Sequence, residues 1–194
     1  MKKLFFLSIV IVPLTLLFSA MSPIANSFST LQATSLKQDT VKIVLEKTRF
    51  KDMAVLYITD TAQTTADMPG VLGKAYGEMM QYIQINKLQT EKFMAWYYSV
   101  QPPWQMDIAV SINKAPGMLN GGRIKSRIQN GGDVLIAHVW GPYDQVGKAY
   151  RQIENWLKEN NRKAKGNPFE VYINDPSAVK SPSEIQTDIY QPLQ

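Results

Sequence analysis

Two short segments near the C-terminal end of the chain each place an acidic and an aromatic side chain two positions apart. Within residues 169–174, Glu170 and Tyr172 are two positions apart, and Asp188 and Tyr190 repeat that spacing. Residues two apart in a β-strand point to the same face of the sheet. Because a carboxylate is costly to bury beside aromatic rings unless it has a purpose, both pairs are candidates for a ligand site.

The first half of the chain has a comparable segment. Met94, Trp96 and Tyr98 stand at every second position of one segment, and Asp107 begins a later segment. Aromatic rings supply apolar area and cation–π attraction of about 0.5–2 kcal/mol each, while a desolvated carboxylate favours a positively charged partner. We therefore predict a site for an amphipathic or cationic organic molecule, lined by aromatics around a carboxylate. The predicted ligand-binding residues are Glu170, Tyr172, Trp96, Tyr98, Asp188 and Tyr190, with Asp107 as a further candidate.

An alternative is that Glu170 and Tyr172 lie on a solvated face of an antiparallel sheet. In either interpretation, we expect the apolar residues Phe169, Val171 and Ile173 to face a helix, because they alternate with the polar ones.

The elements that must position these residues occur twice. The tetrad Gly-Lys-Ala-Tyr stands at 73–76 and again at 147–150, and the apolar residues around both copies match at helical spacing. Two β-rich segments precede each predicted helix and two follow it. This predicts an α+β fold made of a ββαββ unit and its duplicate, at 40–113 and 122–194, related by a pseudo-twofold axis. We interpret the tetrad tyrosines, Tyr76 and Tyr150, as packing residues.

The two copies can be aligned on the phenylalanine that opens the segment after each helix. With Phe93 placed on Phe169, Met94 takes the position of Glu170 and Trp96 that of Tyr172. The frame is then duplicated, but the central acid is not.

The N-terminal residues 1–27 have the pattern of a signal peptide. Lys2 and Lys3 precede an apolar run, and small residues follow at 25–27. An uncleaved membrane anchor is the alternative. Both interpretations predict an exported domain, periplasmic or secreted. Residues 28–39 are polar and aperiodic, which predicts a flexible arm before a domain at 40–194.

Composition and motifs argue against several classes of site. The chain has no cysteine, and its net charge of +5 is not arranged in a nucleic-acid-binding pattern. There is no Ser-His-Asp arrangement, phosphate loop or dinucleotide motif, and the single histidine, His138, has no partner at metal-ligand spacing. We expect a small-molecule ligand, no cofactor, no metal and no nucleic acid. Membrane association is expected only through the N-terminal segment, and the oligomeric state stays open.

Three segments of the second half, 138–144, 166–176 and 187–193, resemble the GyrI-like small-molecule-binding domain in order and spacing. That domain is also known as the effector-binding domain of AraC-type and MerR-type bacterial regulators. The resemblance implies two helix-backed antiparallel sheets around a ligand cleft, with a glutamate at the position of Glu170 as its central acid. Asp188 stands where the family often has glutamate. With an export signal and no helix-turn-helix motif, the chain is not expected to act in transcription.

Three functions are compatible with these residues. We expect a non-enzymatic, exported binding protein. The alternative is a hydrolase of small electrophilic compounds, as in some members of the family, with Glu170 as general base and Tyr172 or Tyr190 as donor. A second alternative is a haem carrier, by likeness to a related fold family. The residues themselves give no reason to prefer catalysis to binding.

Overall fold

The computed structural model describes residues 41–114, 119 and 122–194. The predicted signal segment, 1–27, and the predicted arm, 28–39, lie outside the described residues. The elements follow in the order β1 (Lys42–Phe50), β2 (Met53–Ala62), α1 (Met68–Ile85), β3 (Thr90–Tyr97), β4 (Trp104–Ile112), β5 (Lys125–Gln129), β6 (Gly132–Trp140), α2 (Val146–Glu159), β7 (Phe169–Tyr172) and β8 (Gln186–Pro192). No helix in this part of the chain is both long and apolar enough to cross a membrane.

The strands form a single antiparallel sheet of eight strands in the order β1-β6-β8-β7-β3-β4-β2-β5. The expectation of two separate sheets is therefore wrong. The reason is the pairing of β3 with β7 at the centre, where Phe93 lies opposite Tyr172 and Ala95 lies opposite Glu170. This pairing joins the strands of the two halves into one hydrogen-bonded surface.

The sheet is strongly curled. β1 lies at one edge and β2 next to the other, which in a flat sheet would separate them by about 29 Å at a strand spacing of about 4.8 Å. Only residues 51–52 connect the two strands, and that length of chain reaches about 10 Å. The two ends of the sheet must therefore approach each other.

The two turns that join these ends touch. The amide of Gly131, in the turn between β5 and β6, donates to Oδ1 of Asp52, in the turn between β1 and β2, at 2.8 Å. A Cβ atom at position 131 would overlap the carbonyl oxygen of Phe50. Glycine is required here because the two backbones are in direct contact.

Both helices cover the same side of the sheet, which we call the helix face. The buried residues of α1 are Ala75, Met79 and Ile83, and those of α2 are Val146, Ala149 and Ile153. They follow the three- and four-residue spacing of one helix side, as the repeated apolar stripe predicts. α1 packs on β2 and β4, whereas α2 packs on β6 and β8. The central strands β3 and β7 lie between the two helices.

The opposite side, which we call the concave face, is buried by the curl of the sheet itself. Its aromatic core contains Phe50, Trp96, Phe169 and Tyr190. The rings of Phe50 in β1 and Phe169 in β7 lie 6.0 Å apart, although three strand spacings separate β1 from β7. The sheet therefore curves toward this face.

This packing corrects the expected orientation of β7. Phe169 and Val171 were expected to face a helix, but they are buried in the concave core, and Ile173 is 47% exposed. Glu170 and Tyr172 lie on the helix face instead, in the gap that the helices leave open over β3 and β7.

Candidate functional site

A cavity of about 1130 Å³ lies on the helix face. Residues of α1, α2, β3 and β7 line it, and its size suits a drug-sized organic molecule. Its aromatic lining residues are Tyr76, Phe93, Tyr97, Trp104, Tyr143, Tyr150 and Tyr172. Its acidic lining residues are Glu91, Asp144, Glu170 and Asp175. Among the described residues that line it there is no lysine, arginine or histidine.

Glu170 is the buried acid of this cavity and is only 8% exposed. Its Oε1 accepts a hydrogen bond from the Tyr150 hydroxyl at 2.9 Å, and its Oε2 accepts one from the Tyr172 hydroxyl at 3.3 Å. Burial raises the pKa of Glu170 to about 7, and the two hydrogen bonds only partly oppose that rise. The carboxyl group therefore changes its charge near neutral pH.

Hydrogen bonds connect the hydroxyls of Tyr97, Tyr172 and Tyr150 with the carboxyl group of Glu170, whereas the Tyr76 hydroxyl has a separate partner. The hydroxyls of Tyr97 and Tyr172 are 2.9 Å apart, and the Tyr76 hydroxyl donates to the backbone carbonyl of Met94 at 3.0 Å. Burial, and after it the charge of Glu170, raises the pKa of Tyr97, Tyr150 and Tyr172 above the ordinary tyrosine value. These hydroxyls consequently stay protonated and act as neutral donors.

Two of the six predicted ligand residues, Glu170 and Tyr172, line the cavity. The other four lie on the concave face: Trp96, Tyr98, Asp188 and Tyr190. The expectation that these four share a face with Glu170 is wrong. Directly opposite residues of an antiparallel pair share a face, and Glu170 lies opposite Ala95, whereas Val171 lies opposite Met94 on one side and Asp188 on the other.

The residues that sequence reasoning missed are led by the two tetrad tyrosines. Tyr76 and Tyr150 both line the cavity, and Tyr150 donates to Glu170. Interpreting them as packing residues alone is wrong for Tyr150. A usable signal was present, because a half-buried tyrosine needs a partner for its hydroxyl, and this one recurs at the same place in both helices.

A second acid–aromatic cluster lies on the concave face around Asp107, the further candidate from the sequence. Its carboxylate accepts hydrogen bonds from the hydroxyls of Tyr98 and Thr59, each at 2.7 Å, and forms an ion pair with Arg127. Burial alone would raise the pKa of Asp107, but the two hydroxyl groups and the Arg127 charge outweigh it and hold that pKa below its ordinary value. This carboxylate is fully ionised at neutral pH.

The cation of this second cluster is held by aromatic rings. The guanidinium carbon of Arg127 lies 4.6 Å from the ring centroid of Tyr57 and 4.4 Å from that of Trp96. Both separations are within the range of cation–π attraction. The concave face therefore already contains the arrangement that the sequence predicted for a ligand, occupied by an arginine of the chain itself.

Asp188 has a different set of partners on the concave face. Its Oδ1 lies 3.0 Å from Nδ1 of His138 and accepts a hydrogen bond from Gln186 at 3.0 Å. Nε2 of the same histidine faces Glu46 at 3.3 Å. The described residues contain no group of three His, Cys, Asp or Glu side chains arranged to hold a metal.

The fold and the cavity can be compared with known proteins. The model of the GyrI-like small molecule binding domain matches residues 45–194. The chain belongs to this family. The resemblance drawn from the three sequence segments is thereby confirmed.

Solved structures share the GyrI-like fold at low sequence identity. The C-terminal domain of EcmrR matches with a TM-score of 0.65 and 16% identity, over 79% of this chain and 98% of that one. EcmrR in a complex with DNA matches with a TM-score of 0.67 and 16% identity, over 79% of this chain. This chain spans 57% of the length of that EcmrR chain. SAV2435 bound to tetraphenylphosphonium matches with a TM-score of 0.50 and 11% identity, over 78% of this chain and 94% of that one.

These likenesses concern the α+β architecture, an antiparallel sheet with two helices. No curated protein matches the chain in sequence.

Proposed function

We propose that this GyrI-like domain binds amphipathic organic cations in the helix-face cavity, with Glu170 as their counter-ion. The observation that carries the proposal is a buried carboxylate whose hydrogen-bond partners are neutral hydroxyl groups. An unpaired carboxylate is costly to bury, and the described lining residues offer no cation to offset that cost. A cationic ligand supplies the missing charge.

The rest of the cavity supports the same class of ligand. Aromatic rings on the walls offer apolar contact and cation–π attraction. Glu91, Asp144 and Asp175 add negative charge to the lining, which favours the approach of cations. SAV2435, which shares the fold, is described as bound to tetraphenylphosphonium, a lipophilic cation. That compound is therefore a suitable first probe.

The test is a calorimetric titration of the full chain with tetraphenylphosphonium, using triphenylphosphine oxide as a neutral control of similar shape. We expect the cation to bind and the neutral compound to bind far more weakly. Glu170→Gln should reduce cation affinity at about pH 8, where the carboxylate is ionised. Asp188→Asn, on the concave face, is the matched control and should leave affinity unchanged. Equal affinity of Glu170→Gln and the natural protein would refute the proposal.

The two alternative functions gain no comparable support. A haem carrier needs an axial ligand, and His138 lies on the concave face, paired with Asp188 and Glu46. For hydrolysis, both carboxylate oxygens of Glu170 already accept hydrogen bonds from tyrosine hydroxyls. No described contact favours an attacking water over a bound cation.

We further propose that the domain is a duplicated ββαββ unit with a pseudo-twofold axis between β3 and β7. Exchanging β1–β4 with β5–β8 reproduces the same strand order when it is read from the other edge. Equivalent tetrad tyrosines, Tyr76 and Tyr150, line the same cavity. In this arrangement Ala95 is the counterpart of Glu170, and Tyr97 that of Tyr172. The test is separate expression of 40–113 and 122–194, which should associate with each other.

We also propose that the domain acts outside the cytoplasm. The basis is the basic and apolar pattern of residues 1–27. Fractionation of cells that produce the full chain, with and without these residues, tests the proposal. Recovery of the full chain in the cytoplasm would contradict it.

A further inference from the structure

The charges around Glu170 do not balance among the residues that the structure describes. The side chains that face its carboxyl group from the surrounding elements are neutral tyrosines. They are Tyr76 on α1, Tyr97 on β3, Tyr143 just before α2, Tyr150 within α2 and Tyr172 on β7. From β8 the residue opposite Glu170 is the apolar Ile189. The other titratable lining groups are acids, Glu91, Asp144 and Asp175. Within the described part of the cavity, every ionised group is therefore negative.

Two states remove the unpaired charge. Either Glu170 carries a proton, or its carboxylate is paired with a cation from outside. An ionised carboxylate that is buried and unpaired costs several kcal/mol. The two low-energy states therefore differ by one proton and one ligand, so that proton and cation compete for the same carboxylate. The pKa of Glu170, raised by burial to about 7, puts this competition in the neutral range.

We propose that the cavity exchanges a proton for a cation, so that a permanent cation expels the proton of Glu170, whereas a weakly basic amphipathic amine enters as the neutral base and takes that proton inside the cavity. This inference rests on the proposed cation site. In the second case the O–H bond of the carboxyl group breaks and an N–H bond forms on the amine nitrogen, with no other reactant. The hydroxyls of Tyr150 and Tyr172 then donate to the carboxylate that remains.

The proposal defines two ligand classes that the site treats differently. Quaternary ammonium, phosphonium and N-alkylated heteroaromatic cations bind better as the pH rises, because fewer protons compete with them. Weakly basic heteroaromatic amines do not need to be charged in solution, because pairing with the Glu170 carboxylate stabilises their charged form inside the cavity. Acridine and N-methylacridinium form a matched pair of probes, since they have nearly the same shape and differ in whether the charge is permanent.

The first experiment measures the protons released when N-methylacridinium binds to the full chain. Calorimetry at each pH in two buffers that both titrate near that pH but differ in ionisation enthalpy gives this number. At about pH 6 we expect close to one proton released per cation, and at about pH 8.5 close to none. Affinity should rise about tenfold per pH unit between about pH 5 and 6 and level off above neutrality. Glu170→Gln should abolish both the release and the pH dependence.

The second experiment uses the absorption spectrum of acridine, which differs between the neutral base and the acridinium ion. At about pH 7.5, where free acridine is neutral, we expect the bound form to show the acridinium spectrum with the natural chain and the neutral spectrum with Glu170→Gln. Tyr150→Phe, which keeps the acid and loses one donor to its carboxylate, should still show proton release at about pH 6.

The outcomes separate this inference from the proposed function. If N-methylacridinium binds without releasing a proton at about pH 6, or if bound acridine keeps its neutral spectrum, proton exchange is refuted while the cation site stands. If neither probe nor tetraphenylphosphonium binds, the cation site itself is refuted, and proton exchange with it.

Discussion

Two buried carboxylates lie on opposite faces of the same sheet, each in a cluster with aromatic side chains. Glu170 on the helix face and Asp107 on the concave face are both buried, at 8% and 4% exposed, and both accept hydrogen bonds from two hydroxyl groups. Their pKa values move in opposite directions, up for Glu170 and down for Asp107.

The two carboxylates differ in whether a cationic side chain pairs with them. Burial raises the pKa of either carboxyl group, and the hydroxyl groups lower it in both cases. Only Asp107 has an arginine, and Arg127 is itself held between two rings. Among the described residues, the carboxylate of the concave cluster is paired with a cation, whereas that of the cavity cluster is not. The residue types alone therefore do not distinguish the two clusters; our proposal places the ligand at the cluster whose charge is unpaired.

The largest expected effect is on the pH dependence of stability. The pKa of a glutamate side chain is ordinarily 4.5, and that of Glu170 in the folded protein is about 7, so the folded state holds an extra proton between these values. This contribution is fully present below about pH 4.5 and is lost as the pH rises through about 7. At 1.36 kcal/mol per pKa unit, Glu170→Gln should therefore gain about 3 kcal/mol relative to the natural chain between pH 4 and pH 8.5.

Urea denaturation of both proteins at several pH values measures this gain. The difference between their unfolding free energies should change most between about pH 4.5 and 7, where the folded state holds the extra proton. If the two stability curves run parallel, Glu170 is not the uncompensated acid that the comparison requires.

The second effect has the opposite sign. Asp107→Asn removes the charge that pairs with Arg127 and should destabilise the fold at pH 7 by about 2 kcal/mol, a figure reduced because Arg127 is 29% exposed. The pKa of Asp107 is lowered in the folded state, so this loss should fade as the pH falls through that pKa. Asp144→Asn, an exposed acid of the cavity, is the control and should change stability by less than about 0.5 kcal/mol. Equal loss in both variants would contradict the pairing.

The third effect concerns ligand affinity. Tyr150→Phe removes the hydroxyl that donates to Oε1 of Glu170 at 2.9 Å. A hydrogen bond to an ionised carboxylate contributes about 1.5–3 kcal/mol, so the ionised form that pairs with a cation becomes less favourable. Binding of tetraphenylphosphonium at about pH 8 should weaken about tenfold. Calorimetry measures it, and unchanged affinity would show that the Tyr150 hydroxyl does not support the charged state.

Sequence patterns predicted the elements better than they predicted the faces. The helix stripes were readable because 3.6-residue periodicity is local, and Ala75, Met79 and Ile83 are buried as that period requires. Glu170 and Tyr172 likewise share a face because they lie two apart in one strand. The pairing of β3 with β7 decides which residues of β3 share a face with Glu170 and Tyr172. That pairing depends on the whole domain, and no local sequence pattern predicts it.

Trp96 and Tyr98 were predicted on the wrong face because the alignment of the two halves was shifted by one residue. Aligning Phe93 with Phe169 puts Met94 at the place of Glu170, whereas the pairing puts Ala95 beside it. A slip of one residue moves every side chain of a strand to the other face. The concave core could not be predicted for a related reason. Alternating apolar residues in a short strand predict one buried face of the sheet, whereas here the curl of the sheet buries the other face as well.

The smallest expected effect is the sharpest control on the comparison. Tyr98→Phe makes the same chemical change as Tyr150→Phe, because the Tyr98 hydroxyl donates to the carboxylate of Asp107 at 2.7 Å. Since Arg127 and Thr59 still hold that carboxylate, the cost to stability should be about 1 kcal/mol. Tetraphenylphosphonium affinity should stay within about twofold of the natural chain, because Tyr98 lies on the opposite face from the cavity. A tenfold loss in this variant would mean that the ligand binds on the concave face, and the roles assigned to the two clusters would have to be exchanged.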